Sequence, residues 1–184
     1  NVTFAVDDVP VPVIIGEEVM SSQGDIIGLF LEEEIPKGLS PLESVKRIKE
    51  QGGLVQIPHP YDRIRRGPLD PSALKDVLPY VDLVEVFNAR TILPTDLIRC
   101  QRLADNTGIT PVAVSDSHTH RELGFTYLEI QEFDGSASSL MESLKVAQIT
   151  GHRSSPLVHL VTAYVKFRKR LTRIHSVSYT HLTL

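Results

Sequence analysis

The chain has 184 residues with 41% hydrophobic content, which is enough for one substantial core and too little for two full domains. Its formal net charge of -4 and its pI near 6.0 argue against binding of nucleic acid through a global basic field, so no stable nucleic-acid complex is expected. No apolar run approaches the roughly 20 residues that cross a bilayer, and the amino terminus has no export signal. A cytoplasmic protein without membrane contact is expected, and the oligomeric state stays open.

Predicted strands and helices alternate along most of the chain. The β-branched residues 11–15 predict a strand that turns at Gly16, and residues 24–31 predict a second strand. At Ser40-Pro41-Leu42-Glu43, a capping serine, a proline and a glutamate predict the start of a helix that ends at Gly52. Further strands are predicted at residues 54–57, 82–87, 111–114 and 125–130, and further helices at 70–77, 95–106 and 136–150. Alternation of this kind implies a parallel sheet.

The carboxy-terminal residues differ from the rest in composition. Residues 156–176 are apolar and then basic, which predicts a terminal helix. Residues 177–184 resemble a translated sequencing adaptor, so they are expected to be an artefact. Residues 1–155 then form the main domain, which opens without methionine and is interpreted as a fragment.

Four polar clusters follow or flank the predicted strands. They are Gly16-Glu17-Glu18, Pro58-His59-Pro60, Val84-Glu85-Val86-Phe87-Asn88 and Ser115-Asp116-Ser117-His118. Because the carboxyl ends of parallel strands meet at one edge of a sheet, these side chains are expected to gather there. Carboxylate and imidazole together suit zinc, manganese or iron. Each cluster alone is a weak signal, since a lone histidine or buried carboxylate is more often a hydrogen-bonded structural group.

Together and in this order, the clusters resemble the later motifs of the PHP (polymerase and histidinol phosphatase) family, over about residues 11–127. The matches are glycine-x-glutamate at Gly16 and Glu18, histidine-proline at His59 and Pro60, glutamate-x-x-asparagine at Glu85 and Asn88, and serine-aspartate-x-histidine at Ser115, Asp116 and His118. The resemblance implies an α/β fold, a partial, distorted (β/α)7 TIM-like barrel that lacks its first strands. It also implies two or three divalent metal ions and hydrolysis of phosphoesters.

The resemblance further implies roles for individual residues. Glu18, His59, Asp116 and His118 would be metal ligands, and His59, Asp116 and His118 would be the catalytic residues. Glu85 is equally well interpreted as a ligand or as a support for one through a hydrogen bond. Glu18 is preferred to Glu17 on the family spacing, because adjacent strand residues face opposite ways.

Three residues are expected to meet a phosphate, namely Arg63, Arg90 and Asn88, since arginine pairs with two oxygens at once. For Arg65 and Arg66, an exposed loop is an equally good interpretation. Glu85 and Asn88 differ in strand parity, so both face one site only if the chain bends after Phe87.

Two departures limit what the resemblance implies. The family's early histidine-x-histidine strand and a later aspartate-histidine pair do not occur before Gly16, and Ile26-Ile27 stands where many members have a histidine. The number of metals therefore stays open, and the fragment alone need not be active. The expected substrate is a small phosphorylated compound, a nucleotide or a short oligonucleotide. A non-catalytic PHP-like scaffold and an amidohydrolase-like enzyme are the alternatives.

Overall fold

The computed structural model describes residues 13–65, 67–118 and 122–155. The predicted terminal helix at 156–176, the tail at 177–184 and Arg66 lie outside the described residues. Within them, no helix is long and apolar enough to cross a membrane.

The described residues form a mixed α/β fold. The strands are β1 (Gly16–Ser21), β2 (Gly24–Leu29), β3 (Leu54–Ile57), β4 (Leu83–Asn88), β5 (Thr110–Val114), β6 (Thr126–Glu129) and β7 (Gln148–Gly151). The helices are α1 (Pro41–Glu50), α2 (Pro71–Val77), α3 (Pro94–Thr107) and α4 (Ala137–Leu144), and a 3-10 turn (Leu78–Tyr80) follows α2. The first five strands form one sheet in chain order, and β6 and β7 form a two-stranded sheet.

The sheet is only partly parallel, so the prediction of a parallel sheet is wrong for its first strands. β3 pairs with β4 and β4 with β5 in parallel, whereas β1 with β2 and β2 with β3 are antiparallel. The connection from Ser21 to Gly24 is a tight turn, and a parallel pair requires a crossover of a dozen or more residues. The short first connection therefore forces a hairpin.

Local capping signals locate the start of α1 and the end of α3 correctly. Ser40 caps α1, where its Oγ accepts a hydrogen bond from the Glu43 amide at 3.2 Å, and Pro41 opens the helix as predicted. Gly108 ends α3 with a φ of 72°, a left-handed conformation that suits glycine.

Two element predictions are wrong at their bounds. Residues 13–15 lie before β1 rather than in a strand, and the Ile15 carbonyl accepts hydrogen bonds from the Phe30 and Leu31 amides. The helix predicted to reach residue 150 ends at Leu144, and residues 148–151 form β7 instead. The β-branched pair in Gln148-Ile149-Thr150-Gly151 suits a strand, and β6 supplies its partner.

The two faces of the five-stranded sheet differ in character. One face is mostly apolar and packs with α1, α2 and α3 through Val19, Ile26, Val55, Ile57, Val84 and Val86. The other face is divided. Leu54, Leu83 and Val112 pack with Leu140 and Leu144 of α4. Toward the carboxyl ends of β3 and β4 this face becomes polar, and by strand parity it carries Glu18, Asp25, Gln56 and Glu85. We call this part the polar half-face.

Candidate metal centre

A β-bulge in β4 brings two motif residues to the same side of the sheet. Glu85 pairs with Val112 and Phe87 with Ala113, so Val86 is an extra residue between them. One extra residue reverses the alternation of side chains, and Glu85 and Asn88 therefore share a face despite their odd spacing. The irregularity lies before Phe87, not after it as predicted.

Glu85 is a buried hydrogen-bond acceptor at the centre of the polar half-face. Its Oε1 accepts from Gln56 Nε2 at 3.0 Å, and its Oε2 accepts from the His59 amide and from Asn88 Nδ2, each at 3.0 Å. Burial raises the pKa of Glu85 to about 7, while the hydrogen bonds from Asn88 and the His59 amide oppose the rise. In this geometry Glu85 fixes the backbone of His59 and the amide of Asn88.

This raised pKa predicts a pH-dependent contribution to stability. At low pH Glu85 is uncharged in both states. As the pH rises from about 4.5 to about 7, the unfolded state ionises first, so the folded state loses relative stability in that window. We expect wild type to lose up to about 1 kcal/mol per pH unit relative to Glu85→Gln, which carries no charge there. Urea unfolding at several pH values measures this slope; parallel curves for the two proteins would contradict the prediction.

Asn88, Asp116 and Arg65 form a contiguous polar network at the ends of β4 and β5. Asn88 Nδ2 donates to Asp116 Oδ2 at 3.1 Å, and Arg65 Nη2 donates to Asn88 Oδ1 at 2.9 Å. Arg65 Nη1 donates to Asp116 Oδ2. Burial acts to raise the pKa of Asp116, but the Arg65 charge and these hydrogen bonds outweigh it, and the pKa falls below its ordinary value. Asp116 is therefore a carboxylate at neutral pH.

His59 has the features of a histidine that is available to a cation. It is 7% exposed, and its Nδ1 is buried without a hydrogen-bond partner. Burial, and then the Arg65 charge, lower its pKa, so the ring is neutral near pH 7, the form that binds metals. His59 and Asp116 also have positive φ angles of 28° and 48°. Such strain in non-glycine residues is typical of functional sites.

Two further carboxylates border this network. Burial raises the pKa of Glu18, and the charges of Asp25 and Asp116 raise it further, so the three carboxylates lie within electrostatic reach of one another. A Cβ on Gly67 would lie 2.5 Å from Asp25 Oδ2 and 3.4 Å from His59 Cε1, which places both side chains against this glycine. Glu17, on the other face of β1, accepts a hydrogen bond from the Ile35 amide at 3.0 Å. The sequence analysis did not predict Asp25 as a site residue. Its side chain lies on the same face of β2 as that of Ile27, which pairs with Glu18.

The remaining predicted residues lie at the rim or outside the network. His118 is exposed, with its Nδ1 2.9 Å from the Asp116 carbonyl oxygen. Arg90 is buried, and its Nη1 lies 3.4 Å from Glu122 Oε1. Arg63 turns toward α3, where its Nε donates to Asp96 Oδ1 at 2.9 Å. The arginine that reaches Asp116 and Asn88 is Arg65, not Arg63.

The side chains in the candidate site are of types that bind divalent metals, but they do not converge on one point. In residues 13–65, 67–118 and 122–155, no group of three or more histidine, cysteine, aspartate or glutamate residues could hold an ion as placed. The neutral His59 ring with its unpartnered Nδ1 and the excess of carboxylates are what a metal site requires. The positive charge beside Asp116 is instead the Arg65 guanidinium.

Comparison with known proteins supports the family resemblance. A family model described as PHP-associated matches residues 94–149. The chain is 56% identical over 81 residues to the uncharacterized protein MJ1587 of Methanocaldococcus jannaschii, covering 43% of this chain and 44% of the relative. It is 36% identical over 122 residues to the uncharacterized protein MJ0417 of the same organism, covering 65% and 52%. The chain thus spans about half the length of these curated relatives.

Two solved structures share the fold. One is a two-domain protein from Bacteroides vulgatus ATCC 8482 that contains a predicted PHP-like metal-dependent phosphoesterase; the TM-score is 0.61 at 16% identity, over 80% of this chain and 47% of that one. The other is PsfC from Pseudomonas syringae PB-5123, with a TM-score of 0.56 at 18% identity, over 85% and 65%. The fold is therefore that of PHP-like proteins. With the family match at residues 94–149, it supports a PHP-family domain.

Proposed function

We propose that the protein takes part in metal-dependent hydrolysis of phosphoesters, as a phosphatase or phosphodiesterase acting on nucleotides or short oligonucleotides. The observation that carries this proposal is the meeting of Asp116, Asn88 and the His59 loop at the ends of β3, β4 and β5. The PHP-associated match and the PHP-like phosphoesterase neighbour support it.

The proposed fold of the whole site is a distorted (β/α)7 barrel. The polar half-face, with Glu18, Asp25, Gln56 and Glu85, would be part of the barrel interior. In a barrel the carboxyl ends of the strands carry the active site, which agrees with the positions of His59 and Asp116.

Glu18, His59, Asp116 and His118 are the residues proposed to hold two or three zinc, manganese or iron ions. When bound, such ions lower the pKa of water and offset charge on a phosphoryl group. Glu85 holds the His59 loop and the Asn88 amide in place through its hydrogen bonds. Arg65 presents N–H groups beside Asp116, where a phosphoryl oxygen can accept them. Asn88 donates both of its Nδ2 hydrogens, to Glu85 and to Asp116, so it would orient Asp116 and not contact the phosphate itself.

The proposal predicts hydrolysis that depends on added metal. We expect the protein, as its gene encodes it, to cleave p-nitrophenyl phosphate or bis-p-nitrophenyl phosphate with Mn²⁺, Zn²⁺ or Fe²⁺, and to lose this activity in excess EDTA. A matched p-nitroanilide measures the amidohydrolase alternative in the same assay. Turnover of the anilide but of neither phosphoester would contradict the proposal.

A non-catalytic scaffold is the second candidate. The contact between Arg65 and Asp116 favours it, because a carboxylate that is paired with an arginine is less available to a metal. Absence of hydrolysis under every metal condition, in a folded protein, is the result that this candidate predicts.

A further inference from the structure

Arg65 lies between two carboxylates of the candidate site, Asp116 and Asp62, and its positive charge offsets theirs. Its guanidinium contacts Asp116, donates to Asn88 Oδ1 at 2.9 Å and has its Nε 3.3 Å from Asp62 Oδ2. The side chain is only 17% exposed. The Asp62 carboxylate also accepts the Ile64 and Arg65 amides, so the loop that carries Arg65 is itself held in place.

The charge of Arg65 acts on every predicted ligand that surrounds it. It helps to hold the pKa of Asp116 and of His59 below their ordinary values, and at Glu18 it opposes the rise in pKa that burial causes. A metal ion bound by these three residues would act on them in the same direction. The guanidinium is thus an electrostatic substitute for a cation, made from the chain's own residues.

We propose that Arg65 is an exchangeable counter-ion that occupies the cation position beside Asp116 and Asn88 and is displaced when a divalent metal binds. This inference rests on the metal site of the proposed function. Arg65 Nη1 and Asn88 Nδ2 both donate to Asp116 Oδ2, so neither lone pair of that oxygen is free for a metal while Arg65 stays in place. A guanidinium beside a divalent ion is also repelled. It also accounts for the failure of the described ligands to converge on one point.

The structure provides a place for the displaced side chain. Arg65 lines a cleft of about 370 Å³, which is lined also by Tyr61, Asp62, Gly67 and Arg99. If the Arg65 side chain rotates into this cleft, its pairing with Asp62, which also lines the cleft, would offset the repulsion from Arg63 and Arg99. Its freed N–H groups could then donate to a phosphate oxygen. Arg65 would then lower metal affinity before exchange and bind the anionic substrate after it.

The first test measures Mn²⁺ affinity by calorimetry in wild type, Arg65→Gln and Arg63→Gln. Because Arg65→Gln removes a charge-assisted competitor, we expect it to bind Mn²⁺ roughly tenfold to a hundredfold more tightly than wild type. Arg63→Gln removes an equal charge from the same loop, but Arg63 pairs with Asp96, so its affinity should stay within about twofold of wild type. Equal or weaker binding by Arg65→Gln, including no binding by any of the three proteins, would overturn the inference.

The second test needs no substitution and covers the case in which Arg65→Gln does not fold. Wild type is treated with p-hydroxyphenylglyoxal with and without saturating Mn²⁺, and modification of Arg65 is read by peptide mass spectrometry, with exposed Arg63 as the internal reference. We expect Arg65 to be protected without metal and reactive with it. Unchanged reactivity at saturation would overturn the inference. Tighter Mn²⁺ binding by Arg65→Gln, without hydrolysis of any phosphoester, would contradict only the proposed function.

Discussion

Replacement of Asp116 with asparagine is expected to lower metal-dependent phosphoester hydrolysis by on the order of 10³-fold, the loss typical of removing a group that stabilises the transition state. Asparagine keeps the shape of the side chain and an oxygen that can accept from Asn88, but it lacks the negative charge. Asp116 is the carboxylate that both Asn88 and Arg65 contact, so its charge organises the network. The measurement is kcat/KM with p-nitrophenyl phosphate and Mn²⁺.

Asp76 provides the matched control for this substitution. It is an exposed carboxylate on α2, away from the polar half-face. Asp76→Asn removes the same charge and should change kcat/KM by less than about twofold, since exposed substitutions away from a site have small effects. Undiminished turnover by Asp116→Asn, in a protein that folds as wild type does, would remove Asp116 from the proposed chemistry.

Gly24→Ala is expected to lower the free energy of unfolding by about 3–5 kcal/mol, a large part of the stability of an ordinary domain. Gly24 begins β2 with a φ of 125°, a conformation essentially restricted to glycine. An added Cβ would lie 2.6 Å from Leu69 Cα and 2.7 Å from the Pro68 carbonyl oxygen. Both are backbone atoms, so no side-chain rotation relieves the clash. Urea unfolding measures the loss.

Gly38→Ala separates the clash from the cost of a positive φ. Gly38 has a φ of 80°, but a Cβ there would meet nothing within 4 Å. We expect this control to lose about 1 kcal/mol, the ordinary cost of replacing glycine at a left-handed position. Similar losses in the two variants would show that the close approach of residues 68 and 69 does not matter.

Local signals in the sequence predict the elements whose causes are local. The Ser40 cap and Gly108 stop act within one helical turn, and both helix bounds are found close to where they are predicted. The antiparallel β1 depends instead on how the turn after Ser21 directs the chain. The strand β7 depends on a partner, β6, that lies some twenty residues earlier. Short-range patterns do not contain such long-range pairings.

The candidate site shows the same division between local and long-range causes. The motifs identify Glu85, Asn88 and Asp116 because Glu85 lies in a predicted strand and the other two follow one. They do not identify Asp25, which enters through an antiparallel hairpin that the sequence reading did not include. They also favour Arg63 over Arg65, because Arg63 is nearer to His59 in the sequence. That proximity does not reveal the buried Asp96, which pairs with the Arg63 guanidinium.

The extra residue Val86 has a consequence for how β4 tolerates change. Deleting one residue from that short stretch would restore regular pairing with β5 and rotate Asn88 to the side covered by the helices, away from Asp116. Substitutions there alter one side chain, whereas a change of length alters the orientation of everything downstream in the strand. The number of residues between Glu85 and Asn88 is therefore as much a requirement of this site as their identity.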